Sequence, residues 1–473
     1  MKNAPNILFL FSDQHSPHII GCGGNAIVRT PNLDRMASEG MYFRNAYCQN
    51  PLCVPSRASL LSGRHSKSLG IYENKQIMEA NSITLPRVLE ENGYRTCLVG
   101  KAHFNGEQFH GYQQRPYGDI YGQAHQPDPC RKPEYGAAGL GGLLGNTGPS
   151  EIPIALTQTE ICVAESVKWL QVHKSLHVDQ PFFLSVNFDK PHFPLRPPKK
   201  YYGHYKGNVS LPSSMNGPDE VVPFVAEARR RFGTKDADAA LAALESYYAC
   251  VEWIDDAIGR ILSALDYLDM KENTIVVYTS DHGEMGDEHR IWNKSVFYEA
   301  SVRVPMMMRF PGRIKAGTCC GDVVGLIDIF PTLCEQCGIE IPSICEGVSL
   351  KDCIQSGKPL GREYLYAESA MLGQEDLAGC MVRHRQWKYN YYLDGTEELY
   401  DIEHDPNEMA DVAKHKEYRI IADALREKVI AFWDPEQQYT RCRATPAMAR
   451  EKHFYPFSNQ FMSCDGTIAD ARP

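Results

Sequence analysis

Asp13-Gln14 and Asp281-His282 place two carboxylates, an amide oxygen and an imidazole in two adjacent pairs. Brought together, they could hold one divalent cation. Such oxygen-rich ligation suits Ca²⁺, Mg²⁺ or Mn²⁺ better than Zn²⁺. Taken singly, either Asp could as readily cap a turn. In a third stretch, Cys53-Val54-Pro55-Ser56-Arg57, the Pro suits the first turn of a helix. Cys53 would then sit at a helix N-terminus, where backbone N–H groups and the dipole favour an anion. Arg57, one turn on, could grip that anion bidentately. A lone Cys is more often a small buried hydrophobe, but that leaves Pro55, Ser56 and Arg57 unexplained. Lys101 and His103 in Gly-Lys-Ala-His, His192 in Lys-Pro-His-Phe-Pro and Lys294 in Trp-Asn-Lys complete the polar candidates. Alone, each Lys reads as a solvated charge.

The elements that must position these residues are legible as short apolar runs. Asn6 to Ser12 runs into Asp13-Gln14, and Tyr94 to Val99 into Gly100-Lys101-Ala102-His103. Phe182 to Phe188 runs into Asp189-Lys190-Pro191-His192, and Thr274 to Ser280 into Asp281-His282-Gly283. Continuous apolar runs of this length predict strands buried on both faces, as in a parallel sheet. In open α/β sheets ligands sit beyond the carboxyl ends of the strands. Helices are predicted over Pro31 to Glu39, Ile83 to Asn92 and Ala237 to Leu268. The alternation implies an α/β fold, a large mostly parallel central sheet flanked by helices. Residues 104–150, rich in Gly, Pro, Tyr and Gln, read as a long loop over the cleft. From about 359 the character changes. Arg383 to Tyr392 and Glu398 to Ile402 read as antiparallel strands turning at Asp394-Gly395, with a helix near Glu417 to Phe432. The predicted division is a catalytic α/β domain over 1–358 and a smaller C-terminal α+β subdomain, with an antiparallel sheet and a tail, over 359–473.

Composition bounds the class. The 473 residues are 43% hydrophobic and 23% charged, as in an ordinary globular protein. A net charge of −10 argues against a nucleic-acid surface, though not against an anionic substrate in a locally basic cleft. No apolar stretch of about 20 residues predicts a membrane span. Five apolar residues after the N-terminus are too few for a signal sequence. The 16 cysteines lack framework spacing and read as reduced thiols, so the expected location is cytoplasmic.

The Cys-x-Pro-Ser-Arg run, with Leu60-Leu61-Ser62-Gly63-Arg64 downstream, resembles the signature of the type I sulfatases, formylglycine-dependent members of the alkaline phosphatase superfamily. Thr30-Pro31-Asn32-Leu33-Asp34, Leu326 to Leu333 and Glu398-Leu399-Tyr400-Asp401 are similar to other family segments in the same order. The resemblance spans about residues 5 to 410. It implies that a maturation enzyme oxidises Cys53 to Cα-formylglycine. It implies metal ligands Asp13, Gln14, Asp281 and His282 together with modified Cys53, around one divalent cation, Ca²⁺ first, with Mn²⁺ or Mg²⁺ as alternatives. Arg57 would steady the formylglycine and the transferred group, Lys101 and Lys294 would bind sulfate, and His192 would protonate the departing alcohol. His103 would take the proton from the second hydroxyl of the hydrated aldehyde. Three positions depart from the common pattern. Gln14 stands where many members have a second Asp, His282 where many have Asn, and Ala102 where an aromatic is frequent. The Gln and His forms resemble branches that include choline-sulfatase-like and phosphonate-monoester-hydrolase-like enzymes.

The resulting expectation is a sulfatase acting on a small anionic sulfate ester, a sulfated carbohydrate by the Lys190-Pro191-His192-Phe193-Pro194 segment. His110, Tyr112, Gln113, Arg115, Tyr117 and Tyr121 are candidate pocket residues. One rival is a phosphonate monoester or phosphodiester hydrolase on the same scaffold. The other is a non-hydrolytic metal- or anion-binding protein in which Cys53 stays a thiol. Neither nucleic acid nor membrane is an expected partner, and a homo-oligomer stays open.

Overall fold

The computed structural model describes residues 4–74, 76–105, 108–118, 144, 147–371, 374–438, 440, 460–462 and 468–470. Tyr121 and most of the 104–150 segment therefore lie outside the described residues, as does most of the tail.

Eight strands form the main sheet: β1 (Asn6–Asp13), β2 (Met41–Tyr47), β3 (Arg95–Gly100), β4 (Gln114–Tyr117), β5 (Phe182–Pro191), β6 (Thr274–Ser280), β7 (Arg303–Arg309) and β8 (Thr318–Gly325). Their order is β4-β3-β5-β1-β6-β7-β2-β8. The first five in that order run parallel, β7 is antiparallel to both neighbours, and β2 and β8 are again parallel. The four strands predicted to carry chemistry are thus contiguous and point the same way. Register aligns their ends: Ser12 pairs with Ser280, and Gly100 with Asn187. Gly100 permits this close approach, since a Cβ there would lie 2.0 Å from the Asn187 carbonyl oxygen.

Burial on both faces explains the unbroken apolar runs. Along β1, Ile7, Phe9 and Phe11 face one core, with Val54, Ala58 and Leu61. Leu8 and Leu10 face the other, with Leu33, Met36, Ile254 and Ile258. That is the period of two expected of a strand. The covering helices are α1 (Pro31–Glu39), α2 (Cys53–Ser62), α3 (Leu85–Glu91), α4 (Gln158–Leu176) and α5 (Ala237–Tyr267). Asp236 caps α5 by accepting from the N–H groups of Asp238 and Ala239.

A second, four-stranded antiparallel sheet comprises β9 (Leu365–Met371), β10 (Gln374–His384), β11 (Trp387–Tyr392) and β12 (Glu397–Asp401), covered by α6 (Arg419–Phe432). Two expectations need correcting. The run Arg383 to Tyr392 is two strands, because Arg385 turns the chain with φ 52° and His384 pairs with Trp387. Residues 114–117, expected in a loop, form the edge strand β4. His110, Tyr112 and Tyr117 are buried. Tyr112 stacks on Phe183 and Phe104, and His110 meets Phe104 edge-on.

The two sheets are joined by a buried charge network. Lys388 of β11 donates to Glu299 at 3.0 Å and to Glu408, and Glu408 accepts from the Glu299 backbone N–H at 2.6 Å. Tyr47 of β2 donates to Glu299, and Arg383 donates to Tyr47. Removing one partner of a buried ion pair leaves a charge without compensation. Lys388→Met should therefore destabilise the fold by about 3–5 kcal/mol, read as a lower urea midpoint. A variant that unfolds at the wild-type urea concentration would show that the network holds nothing.

Candidate active site

At the carboxyl edge of the main sheet, the first turn of α2 is set between the ends of β1 and β6. Ser56 donates to the Asp281 carbonyl, and Arg57 spreads its guanidinium over three acceptors. Its Nε donates to Asp281 Oδ2 at 2.9 Å, one terminal nitrogen to Asp13 Oδ2 at 2.9 Å and the other to the Lys101 carbonyl at 3.0 Å. Lys101 Nζ lies 2.7 Å from the same Asp13 oxygen. Cys53 is the first residue of α2, with its Sγ 3.3 Å from His282 Nε2. All of these side chains are buried.

Three further hydrogen bonds fix orientations. Asp281 Oδ1 accepts from the backbone N–H groups of Gln14 and His282, each at 3.0 Å. His282 Nδ1 faces the Gly283 carbonyl at 2.9 Å. A carbonyl can only accept, so Nδ1 carries a proton and Nε2 is the nitrogen turned to Cys53. Gln14, at φ 65°, receives a hydrogen bond from Lys294 on Oε1 and donates from Nε2 to Glu284.

The electrostatics follow. Burial would raise the Asp13 carboxyl, but Lys101, His192, Arg57 and His282 outweigh it and hold it well below the usual carboxylate range. Burial and Asp13 push the Cys53 thiol up, yet Lys294, Lys101 and His282 bring it below its ordinary value. Burial disfavours the Lys101 ammonium, while Asp13 and Cys53 more than restore it. Burial would also lower His282, but Asp281 reverses the sign. His192 goes well below its ordinary value through burial, reinforced by Lys294 and Lys101.

The donor set suits a cation. Ligand atoms of Asp13, Cys53, Asp281 and His282 all lie within 4.8 Å of one another. Asp13 Oδ1 is buried without a hydrogen-bond partner, which is costly unless something positive meets it. Carboxylate oxygens with one imidazole suit a hard divalent ion.

The structure therefore brings together Asp13, Gln14, Cys53, Arg57, Lys101, Asp281, His282 and Lys294. His192 follows β5, with Nδ1 facing the Phe193 carbonyl at 2.7 Å, and is near enough for Asp13 and Lys294 to act on its charge. His103 is buried two residues beyond Lys101, at φ 57°. Sequence reasoning overlooked Glu284 and Asn293, which contact Gln14. The signal available was a Glu two residues after His282. His289, an unassigned histidine of the same region, stacks on Tyr298 at 3.8 Å and bonds the Asn407 carbonyl. Among the described residues no cysteine is in a disulfide.

The chain is similar to known proteins over most of its length. The sulfatase family model matches residues 5–339. The model described as N-sulphoglucosamine sulphohydrolase, C-terminal, matches residues 287–434. An arylsulfatase of Clostridium perfringens is 32% identical over 457 residues, covering 90% of this chain and 94% of the relative. Among solved structures, one in complex with its substrate D-glucosamine-2-N,6-O-disulfate superposes with a TM-score of 0.77 at 24% identity, covering 92% of this chain and 98% of that one. The phosphonate monoester hydrolase of Agrobacterium radiobacter gives 0.79 at 22% identity, covering 99% and 100%. At these identities the two structures show the shared fold.

The depressed Asp13 carboxyl has a consequence for acid stability. A group whose folded value lies below its unfolded one stabilises the fold above the unfolded value. That contribution is lost as pH falls through the folded value. In chelator-treated protein, the urea midpoint should therefore fall as pH drops below about 4. Asp13→Asn should be weaker at neutral pH and show a flatter decline. Equal slopes for the two proteins would rule out this linkage.

Proposed function

The chain belongs to the sulfatase family, whose members are sulfuric ester hydrolases, and from that premise we propose that it cleaves the sulfate monoester of a small sulfated carbohydrate with a nucleophile made from Cys53. The observation that carries this reading is the convergence on one buried cluster. Cys53 lies 3.3 Å from His282, and Arg57 ties α2 to Asp13 and Asp281. A buried structural cysteine would have no need of two carboxylates, an imidazole and three cationic side chains around it.

In this reading Asp13, Gln14, Asp281 and His282, with modified Cys53, hold one divalent cation, Ca²⁺ by preference for oxygen ligands. Bound there, the cation would neutralise sulfate charge and lower the pKa of an oxygen nucleophile. Oxidation of Cys53 to formylglycine by a maturation enzyme would supply that oxygen, since a hydrated aldehyde offers two hydroxyl groups on one carbon. The residues of the chain do the rest. Arg57 fixes the relative placement of Asp13 and Asp281. Lys101 and Lys294 meet the sulfate oxygens and stabilise the charge that builds up as the ester bond lengthens. His192 keeps its Nδ1 proton on the Phe193 carbonyl, which turns Nε2 to the leaving oxygen. The incoming anion offsets Lys294 and Lys101, so binding favours a proton on Nε2, and that proton moves to the departing alcohol. His103, on the same loop as Lys101, takes the proton that must leave the second hydroxyl.

Support for a carbohydrate comes from the Lys190-Pro191-His192-Phe193-Pro194 segment and from the fold shared with the glucosamine-disulfate complex. A second reading, phosphonate monoester or phosphodiester hydrolysis, is favoured by Gln14 and His282 and by the fold shared with the phosphonate monoester hydrolase. Turnover of sulfated monosaccharides, choline sulfate, a phosphodiester and a phosphonate monoester separates the two. The highest kcat/KM should fall on a sulfated sugar; a large preference for a phosphorus ester would overturn the proposal.

Two predictions test the roles. Protein co-expressed with a formylglycine-generating enzyme should carry an aldehyde at position 53 by peptide mass spectrometry, and Cys53→Ala should release no sulfate. A Cys53 that is never converted, together with full activity of Cys53→Ala, would rule out the formylglycine mechanism. His192→Ala should lower kcat/KM by about 10²–10⁴-fold on an alkyl sulfate, whose leaving group needs a proton, and far less on an activated aryl sulfate. Equal losses on both substrates would remove His192 from the acid role.

A further inference from the structure

Gln14 is the least expected of the candidate ligands, because an amide has two unlike ends and only one of them can meet a cation. The structure determines which. Lys294 contacts Oε1, and an ammonium has donors but no acceptor, so its partner must be oxygen. Glu284 contacts Nε2 through Oε2. Its other oxygen, Oε1, accepts from the backbone N–H groups of Gly286 at 2.9 Å and Asn293 at 2.7 Å. Asn293 Oδ1 also lies 3.4 Å from Gln14 Nε2. Every contact of Glu284 thus requires an acceptor, and both Gln14 and Glu284 are fully buried. Lys294, which marks the oxygen end, also acts electrostatically on Cys53 and His282. The oxygen end of Gln14 is thus turned to Lys294 and the nitrogen end to Glu284 and Asn293.

We propose that Glu284 is a positioning residue: by accepting from Gln14 Nε2 it fixes the amide so that Oε1 is the atom offered to a cation held by Asp13, Asp281 and His282. This rests on the reading above that the cluster holds a divalent cation. It also accounts physically for the departure at position 14. A carboxylate there would meet the Glu284 carboxyl across a buried contact, which the pair could hold only by sharing a proton. Gln14 and Glu284 are therefore one choice made at two positions. An amide in front goes with a carboxylate behind.

The pairing makes an unusual prediction about a swap. In Glu284→Gln, the amide oxygen at 284 stays on the two backbone N–H groups, which turns the new NH₂ toward Gln14 Nε2. Two donors then oppose each other. Gln14 relieves the clash by flipping, which presents NH₂ to the cluster. In Gln14→Glu, two carboxylates meet. In the double variant Q14E/E284Q, the NH₂ at 284 donates to the carboxylate at 14, and the contact between the two positions is again matched.

Isothermal titration of Ca²⁺ into the chelator-stripped, matured full-length protein tests this, with Mn²⁺ and Mg²⁺ as parallel probes and melting in chelator as the control for folding. Glu284→Gln should bind about 10- to 100-fold more weakly than wild type, while its melting in chelator stays close to that of wild type. The swap should return to within about threefold of wild type or bind more tightly. The inference is overturned if Glu284→Gln binds as wild type does, or if the losses of the two single variants simply add in the swap. A wild-type protein that binds none of the three ions would instead remove the cation reading itself, and this inference with it.

Discussion

A carboxylate buried at the end of a β-strand needs a positive partner, and Arg57 supplies one to two carboxylates at once. Its guanidinium joins Asp13 at the end of β1 to Asp281 just beyond β6, and reaches the Lys101 carbonyl just beyond β3. Three strand ends are thereby tied to the first turn of α2, whose first residue is Cys53. The position of the thiol is thus a consequence of charge pairing at the sheet edge. The planar fork matters, since a lysine at 57 could not reach three acceptors in fixed directions. The cost of desolvating these ions is offset only because each finds several partners.

The parallel sheet makes that pairing possible. Because β3, β5, β1 and β6 are contiguous and run the same way, their polar ends fall on one edge. The alternating burial of β1 commits both of its faces to apolar packing, which leaves only the strand end for polar residues. This is also why so much was legible without coordinates. A strand buried on both faces has no period to confuse, and the point at which apolar residues stop is the point at which chemistry begins. The alternation of these runs with amphipathic helices likewise carried the α/β class.

What was not legible depended on partners far apart in sequence or on backbone conformation. Arg383 to Tyr392 looks like one strand because Arg385 gives no turn signal of the Gly, Asn or Pro kind; its positive φ emerges only with the hairpin formed. His110, Tyr112 and Tyr117 are residue types that suit a sugar pocket as well as a core, and stacking on Phe104 and Phe183 puts the first two in the core. Glu284 was passed over because its importance lies in the atom of Gln14 it touches, across a separation of 270 residues. A site built from strand ends thus announces its polar cluster but hides what orients the side chains within it.

Charge alone does not choose the ester. Sulfate monoesters, phosphonate monoesters and phosphodiesters all arrive as monoanions, so in the proposed roles Lys101 and Lys294 would meet the same net charge in each case. The neutral amide at position 14 leaves the cluster one unit more positive than a second aspartate would, which strengthens the pull on any of them equally. The difference lies in shape. A phosphodiester or phosphonate carries a carbon-bearing group where a sulfate presents a bare oxygen. An ammonium donates to a bare oxygen but gains no hydrogen bond from a carbon-bearing group. Two lysines, both buried, spend their desolvation most effectively on a group whose non-bridging oxygens are all available. In the proposed roles, the same residues that leave the fold's chemistry broad would therefore favour sulfate.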